Sequence, residues 1–309
     1  MSPRAITIEA AERRRRLATL SFIAPGFLLI LLLFMVPLAL VIAYSLMTRG
    51  TYGGVVWQFD ADSYARIAGL PNEDELRDWD FVYLAIFLRT AAIAALTALL
   101  ALVIGYPAAW YIARQPERRR FVLLLLVTIP FFVNALVRIY AWMLILRADG
   151  LVNNLLMGLG IISAPLQMLY TPGAVILSMV YQYLPFMVLP LYASIEKLDS
   201  RLVEASLDLG AGRLRTFRRV VVPLTAPGIA AGLVLVFIPA FGNFIAPTLI
   251  GGSKQLQVGT LLVQAFLSAR DWPFGAAVAT VLSAIVLMAL LFMVRSERRA
   301  PVTNGEVQP

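Results

Sequence analysis

Neither cysteine nor histidine occurs anywhere in the 309 residues. Their absence excludes disulfides, iron–sulfur clusters, Cys- or His-ligated zinc, and Ser-His or Cys-His catalysis. Charge is scarce too: 14% of residues are Asp, Glu, Lys or Arg, against about 25% in an ordinary soluble domain. Such a chain cannot coat one or two soluble domains of this length with polar surface. The only lysines are Lys197 and Lys254. Neither stands in G-x-x-x-x-G-K-[ST], so no phosphate-cradling loop is present. What the sequence does have is apolar mass: 60% of residues are hydrophobic and mean hydropathy is +0.81. That excludes disorder. The net charge of +8 suits nucleic acid or anionic lipid equally well, so its placement has to decide.

A membrane-crossing helix needs about 20 mostly apolar residues. Six stretches qualify: roughly Leu17 to Leu46, Leu84 to Ile112, Phe121 to Leu146, Pro172 to Ile195, Pro227 to Ile250 and Phe274 to Val294. None has Asp or Glu in its interior, and Pro37, Pro130, Pro185, Pro190 and Pro239 predict kinks within them. The loops sort the charge. The N-terminal segment, the second–third loop, the fourth–fifth loop and the tail together hold 18 Lys and Arg, while the opposite side holds 6. This split predicts a multi-pass plasma-membrane protein with both termini cytoplasmic. The Arg13–Arg16 run before an apolar stretch of close to 30 residues reads as an uncleaved first span, since a signal-peptide core is about 7–15 residues. The expected organisation is a cytoplasmic segment over 1–16, a membrane domain over 17–294 and a cytoplasmic tail over 295–309.

Two loops stand out. The first outward loop, about Met47 to Tyr83, carries Asp60, Asp62, Glu73, Asp74, Glu75, Asp78 and Asp80. It reads as a solvated loop, with a docking surface for a basic partner or a cationic solute as the rival. The fourth–fifth loop, about 196–226, is rich in helix formers. Asp199 or Ser200 can cap a helix over Arg201 to Leu209, with Leu202, Ala205, Ser206 and Leu209 on one face. Gly210 stops it. A second helix, about Arg213 to Val221, places Leu214, Phe217 and Val221 together, and Pro223 is expected to end it.

At these residues the chain resembles a known family. Glu204-Ala205-Ser206, then Gly210-Ala211, Phe217 and Pro223-Leu224 are similar to the EAA loop of ABC-importer permeases. The likeness runs from about Thr90 to Arg295. It includes Leu136-Val137-Arg138-Ile139-Tyr140-Ala141-Trp142, Gly150-Leu151-Val152-Asn153, Pro185 to Pro190, Ile238-Pro239 with Gly242, Phe244, Pro247, Leu249 and Gly251-Gly252, and Arg270-Asp271-Trp272-Pro273. Together these resemble the spermidine/putrescine permeases of the PotB and PotH type. Two departures stand out: Asn243 replaces the Glu of G-E-F, and Thr248 replaces a second acid.

The resemblance implies an all-α integral membrane protein with six transmembrane helices, the type I ABC importer permease fold and a cytoplasmic coupling-helix loop. It implies that Leu202, Val203, Glu204, Ala205, Leu209, Gly210 and Ala211 meet the ATPase. It further implies a PotC-like second permease in a heterodimer, two cytoplasmic ATPase subunits that hold the ATP and Mg, and a periplasmic or extracellular solute-binding protein. No enzyme activity, cofactor, metal site or nucleic-acid partner is expected for the chain itself.

Polar residues inside spans are costly and mark candidate path positions. Arg138 is expected two-thirds along the third span, with Asn134 one turn below and Trp142 one turn above. It reads as a path or gate residue, or as a snorkelling side chain. Asn243 reads as pore-lining or as a helix–helix hydrogen bond. Tyr140, Trp142, Tyr181, Tyr183, Phe241 and Phe244 offer aromatic faces that hold cations. The solute is expected to be a polyamine, with an opine or amino-acid-like compound as the alternative because the spans lack acids. A secondary transporter or channel should show pseudo-repeats and midplane carboxylates, and neither is visible. A membrane enzyme has no catalytic constellation to work with.

Overall fold

The computed structural model describes residues 3–71, 78–252 and 256–298, with side chains described for 24–71, 78–252, 256–291 and 295. Arg77, Glu73, Asp74, Glu75, Lys254, the side chains of Arg13–Arg16 and residues 299–309 of the tail therefore lie outside the described residues.

Helix α1, Pro3–Ser45, passes through Pro25 and Pro37 without a break. Between residues 24 and 37 its side chains are exposed on every side (Phe27 62%, Ile30 67%), and it packs mainly along α14, Trp272–Arg298. An antiparallel hairpin follows, β1 Met47–Arg49 with β2 Val55–Phe59, then α2, Asp62–Ala68. These two strands were not anticipated. Helix α3, Val82–Ala113, returns across the bundle. Helices α4, Glu117–Phe132, α5, Ala135–Leu146, and α6, Leu151–Gly158, come next. They are followed by α7, Pro172–Glu196, which stays one helix through Pro185 and Pro190. Beyond α7 lie α8, Ser200–Asp208, α9, Arg213–Thr216, a π-helical turn at Phe217–Val221 and α10, Val222–Leu224. Then come α11, Ala226–Phe241, α12, Ile245–Leu249, α13, Val258–Val263, a second π-helical turn at Gln264–Ser268, and α14. Among the described residues four helices are long and apolar enough to cross a membrane, or six if each bent pair forms one span.

The third and fifth spans are therefore not the continuous helices expected. The third breaks at Val133 and Asn134, both extended, with a 91° bend between the α4 part and the rest. Pro130 removes a donor from the last turn of α4, and the Asn134 side chain caps α5 by accepting from Leu136 N at 2.8 Å. Asn134 and Trp142 still flank Arg138 as expected, because the break does not separate them: Arg138 and Trp142 share α5, and Asn134 caps it one turn below, its carbonyl accepting from Arg138 N at 3.2 Å. In the fifth span, Pro223 does not end the helical run. The run continues to Leu224 and turns by 67° at Thr225, and α11 stops at Phe241.

The core is the packing of α3, α7 and α11. Small residues let these backbones approach, as helices in lipid require. Met187, fully buried on α7, lies between Gly105 of α3 and Gly232 of α11. Gly228 faces Ser194 Cβ and the Pro190 carbonyl, where an added Cβ would lie 2.7 Å from that oxygen.

The hairpin and α2 are anchored at one end of the bundle. Arg66 Nη1 donates to Asp271 Oδ2 at 3.0 Å, and its guanidinium lies 4.3 Å from the Phe274 ring centre. Burial works against the Arg66 charge, but hydrogen bonds to Asp271 and Tyr83 outweigh it, leaving its pKa above the ordinary value. Asp271 Oδ1 also accepts from Phe274 N at 3.2 Å, capping α14. Arg49 Nη2 donates to Ala269 O at 2.7 Å, and Gly54 N donates to Arg270 O at 3.2 Å. The Arg270-Asp271-Trp272-Pro273 motif is thus the clasp for the outer loop.

Gly228→Val should lower stability by about 1–3 kcal/mol, because the Pro190 carbonyl is backbone and cannot move aside cheaply. Thermal unfolding in detergent measures this, and an unchanged midpoint would refute the close approach of α7 and α11. Asp271→Ala should release the loop: loss of the capped, paired carboxylate predicts faster proteolysis between β2 and α3 with the bundle intact.

Candidate translocation path and coupling surface

The two helix breaks meet at the middle of α7. Tyr183 projects from α7 and donates its hydroxyl to the Pro239 carbonyl at 3.2 Å. Asn243, 8% exposed, lies just past the end of α11 and donates Nδ2–H to the same hydroxyl at 2.8 Å. Its Oδ1 accepts from Ile245 N at 2.9 Å and Ala246 N at 3.2 Å, which caps α12. One amide therefore satisfies two orphan backbone donors and ties the break to α7. On the opposite flank, α13 abuts the same break. A Cβ on Gly259 would lie 2.6 Å from the Asn243 carbonyl oxygen, and Thr90 Oγ1 accepts from Val258 N at 3.1 Å. Irregular backbone at membrane depth is tolerated only where protein buries it or where it lines a wet cavity. Interrupted helices of this kind form solute sites in transporters.

Arg138 approaches from the other break. It is 8% exposed, its Nε is buried without a hydrogen-bond partner, and its guanidinium lies 5.9 Å from the Phe131 ring centre. Phe131 meets Phe186 of α7 edge-on at 5.1 Å, and Phe186 lies 6.4 Å from Tyr183. The structure thus brings Arg138, Tyr183 and Asn243 together. Trp142 and Tyr181 form an edge-on pair at 5.7 Å nearby in the fold, bridging α5 and α7. Tyr140 and Phe244 are exposed. Phe241 is 1% exposed and stacked on Phe237 at 5.6 Å, in the core. Asn134 is exposed and serves as a helix cap. Gln257, with both amide atoms buried and unpartnered beside the break, was missed. An amide in a loop carries no periodic signal.

At the other end of α3 the loop helices form a second surface. Asp199 caps α8, its Oδ1 accepting from Arg201 N at 2.9 Å. Gly210 has φ of +79°, the left-handed conformation that lets the chain reverse after α8. Ser206 bonds Thr216 across the hairpin at 3.0 Å. Val203 and Leu207, the latter still 42% exposed, line a cavity of about 470 Å³ with Trp110 and Phe217. Leu202 (49% exposed), Ala205 and Leu209 (88% exposed) turn outward along a largely apolar groove that also includes Ser206, Ala211 and Leu224 and is edged by Arg215 and Arg219. Glu204 is exposed beside a cleft containing Arg114 and Arg120. Phe217 connects this surface to the bundle: its ring meets Tyr106 edge-on at 5.5 Å and Trp110 at 6.5 Å. The Tyr106 hydroxyl then bonds Thr225 Oγ1 at 3.0 Å, at the bend leading into α11.

A helical bundle with two broken spans meeting on a central helix, and an exposed amphipathic hairpin at one end, defines a membrane permease. The chain belongs to the family of binding-protein-dependent transport system inner membrane components, whose model matches residues 101–300. It is 42% identical over 270 residues to the spermidine/putrescine transport system permease protein PotB of Salmonella typhimurium strain SL1344, covering 87% of this chain and 90% of that one. It is 40% identical over 260 residues to PotB of Haemophilus influenzae, covering 84% and 86%. The fold matches that of a bacterial alginate ABC transporter solved with its alginate-bound periplasmic protein. There the TM-score is 0.69 at 17% identity, with 94% of this chain and 96% of that chain covered. The inward-facing methionine transporter MetNI matches at a TM-score of 0.52 and 18% identity, covering 74% and 99%.

Tyr183→Phe removes the hydroxyl that Asn243 and Pro239 share. It strands a buried amide N–H and should cost about 1–3 kcal/mol. Differential scanning of the purified complex tests this, and an unshifted transition would show that the break is held by other contacts.

Proposed function

We propose that this chain forms the membrane path of an ATP-driven importer for a polyamine of the spermidine/putrescine kind, with both termini cytoplasmic. The carrying observation is the geometry of α8. Its Leu202, Ala205 and Leu209 are apolar and exposed, while Ser206 beside them bonds Thr216, and the adjacent Phe217 packs on Tyr106, which bonds Thr225 at the bend. A rigid surface helix wired to a bend at the foot of a spanning helix suits transmission of movement from a soluble motor. The chain has no phosphate loop, so ATP and Mg bind a separate pair of ATPase subunits whose groove takes Leu202, Glu204, Ala205 and Leu209. The 18 to 6 distribution of Lys and Arg supports α8 on the cytoplasmic side.

The relatives' name, spermidine/putrescine transport system permease, supports the polyamine solute, and the family's description as binding-protein-dependent supports a separate solute-binding protein. A second permease of the PotC type is what the resemblance to that family implies. When ATP closes the motor, α8 moves, the bend at Thr225 follows, and α11 carries its break against Tyr183. The path alternates its opening as it does so. A cationic solute passing this chain meets aromatic faces at Tyr140, Tyr181 and Phe244. Its counter-charges then come from the facing permease, because the spans of this chain have none. The rival solute, an amino-acid-like compound, is favoured by the same lack of acids.

Leu209→Asp, and separately Gly210→Val, should leave the protein in the membrane but reduce ATPase co-purification and solute uptake at least tenfold. Leu209→Asp puts a charge in a largely apolar groove, and Gly210→Val forces a β-branched residue to positive φ. Normal uptake with no ATPase associated would sink the importer reading.

A further inference from the structure

Arg138 is the one buried cation at the junction of the two breaks that has no carboxylate among the described residues. The described ion pairs are Arg66–Asp271, Arg120–Glu196 and Arg147–Asp149. On α3, α4, α5, α7 and α11 the only acids are Glu117 and Glu196, both at helix ends, and Glu196 is taken by Arg120. The Arg138 backbone N–H is spent on the Asn134 carbonyl at 3.2 Å. Its side chain has the Phe131 ring 5.9 Å away, and Phe131 leads through Phe186 to Tyr183 and its hydroxyl. That hydroxyl donates to Pro239, so its own proton is committed elsewhere. Nε is sealed with no acceptor. A guanidinium keeps its charge at any biological pH, so it cannot relieve its burial by losing a proton.

We infer that Arg138 is a receptor for a carboxylate that arrives from outside this chain. A carboxylate fits the guanidinium fork with two parallel hydrogen bonds, whereas an ammonium group would be repelled. The carboxylate has two sources: an amino-carboxylate solute, or an Asp or Glu of the facing permease that closes across the path. In the second case Arg138 holds the facing acid in place while the diamine passes along the aromatic faces. The inference rests on the reading of the break junction as part of the solute path.

The test uses the full transporter with its binding protein in proteoliposomes, carrying Arg138→Gln or Arg138→Lys. The probes are putrescine and 4-aminobutanoate, which share a four-carbon chain and differ by one carboxylate. If wild type carries 4-aminobutanoate, Arg138→Gln should lower its uptake at least tenfold. If wild type carries putrescine alone, Arg138→Gln should lower that uptake at least tenfold. One Asp→Asn or Glu→Gln change in the facing permease should then reproduce the loss, with no further loss in the double variant. In both cases Arg138→Lys, which keeps the charge but loses the fork, should lose less uptake than Arg138→Gln but more than a third of the wild-type rate. The inference is overturned if Arg138→Gln stays within twofold of wild type on every carried solute. It is equally overturned if Arg138→Lys fails to assemble just as Arg138→Gln does, since the side chain would then serve shape and not charge. Either failure is separate from failure of the importer reading, which Leu209→Asp reports through ATPase co-purification.

Discussion

In hydrocarbon every backbone N–H and C=O has to find its partner inside the protein, and a spanning helix that breaks leaves several without one. The Asn243 side chain answers this constraint for the fifth span. Its oxygen takes the first two donors of α12, and its nitrogen reaches Tyr183 on α7. Asn134 does the same at the third span by capping α5. Without these amides the two interruptions would be untenable in the membrane. With them, the breaks become fixed features that meet on one helix.

The rest of the bundle follows from holding that meeting point still. Met187, between Gly105 and Gly232, lets α3, α7 and α11 approach closely, so the Tyr183–Asn243 contact sits in a rigid core. From there α11 runs to the bend at Thr225, which is tied to Tyr106 and through it to Phe217 in the loop. The π-helical turn at Phe217–Val221 widens the helix there, and such turns are frequent at functional sites. The outer loop is held separately by Arg66 and Asp271. The two ends of the bundle are thus anchored by different chemistry, one ionic and the other aromatic.

The residues that were legible in advance are those whose signal is local. The cap at Asp199, the helix over Ser200–Asp208 and the reversal at Gly210 are all written in adjacent residues. The apolar stretches that became α1, α3, α7 and α14 could be read because length and apolarity suffice to mark them. The breaks were less legible. Pro130 and Gly242 were visible, but prolines at 185 and 190 look equally disruptive and α7 runs through both. Whether a proline interrupts a helix depends on what neighbours the freed groups meet. The hairpin at 47–59 hid inside a loop because its two strands are short and its anchors, Ala269 and Arg270, lie more than two hundred residues away.

The sequence by itself determined the solvent. With 60% hydrophobic residues, no internal acids in the spans and 18 of 26 basic residues in the four segments of one set of loops, the chain is written for a bilayer, and its charge is sorted by loop. It also determined what the chain lacks: a phosphate loop and any His or Cys chemistry. The tertiary structure alone decided which polar residues are spent and which are left over. Asn243 and Asn134 are consumed in satisfying backbone, Phe241 is consumed in the core, and Arg138 keeps a buried Nε with no hydrogen-bond partner among the described residues. Each of these outcomes depends on partners brought together from distant helices, and hydrogen bonding and burial are properties of the pair and not of the residue.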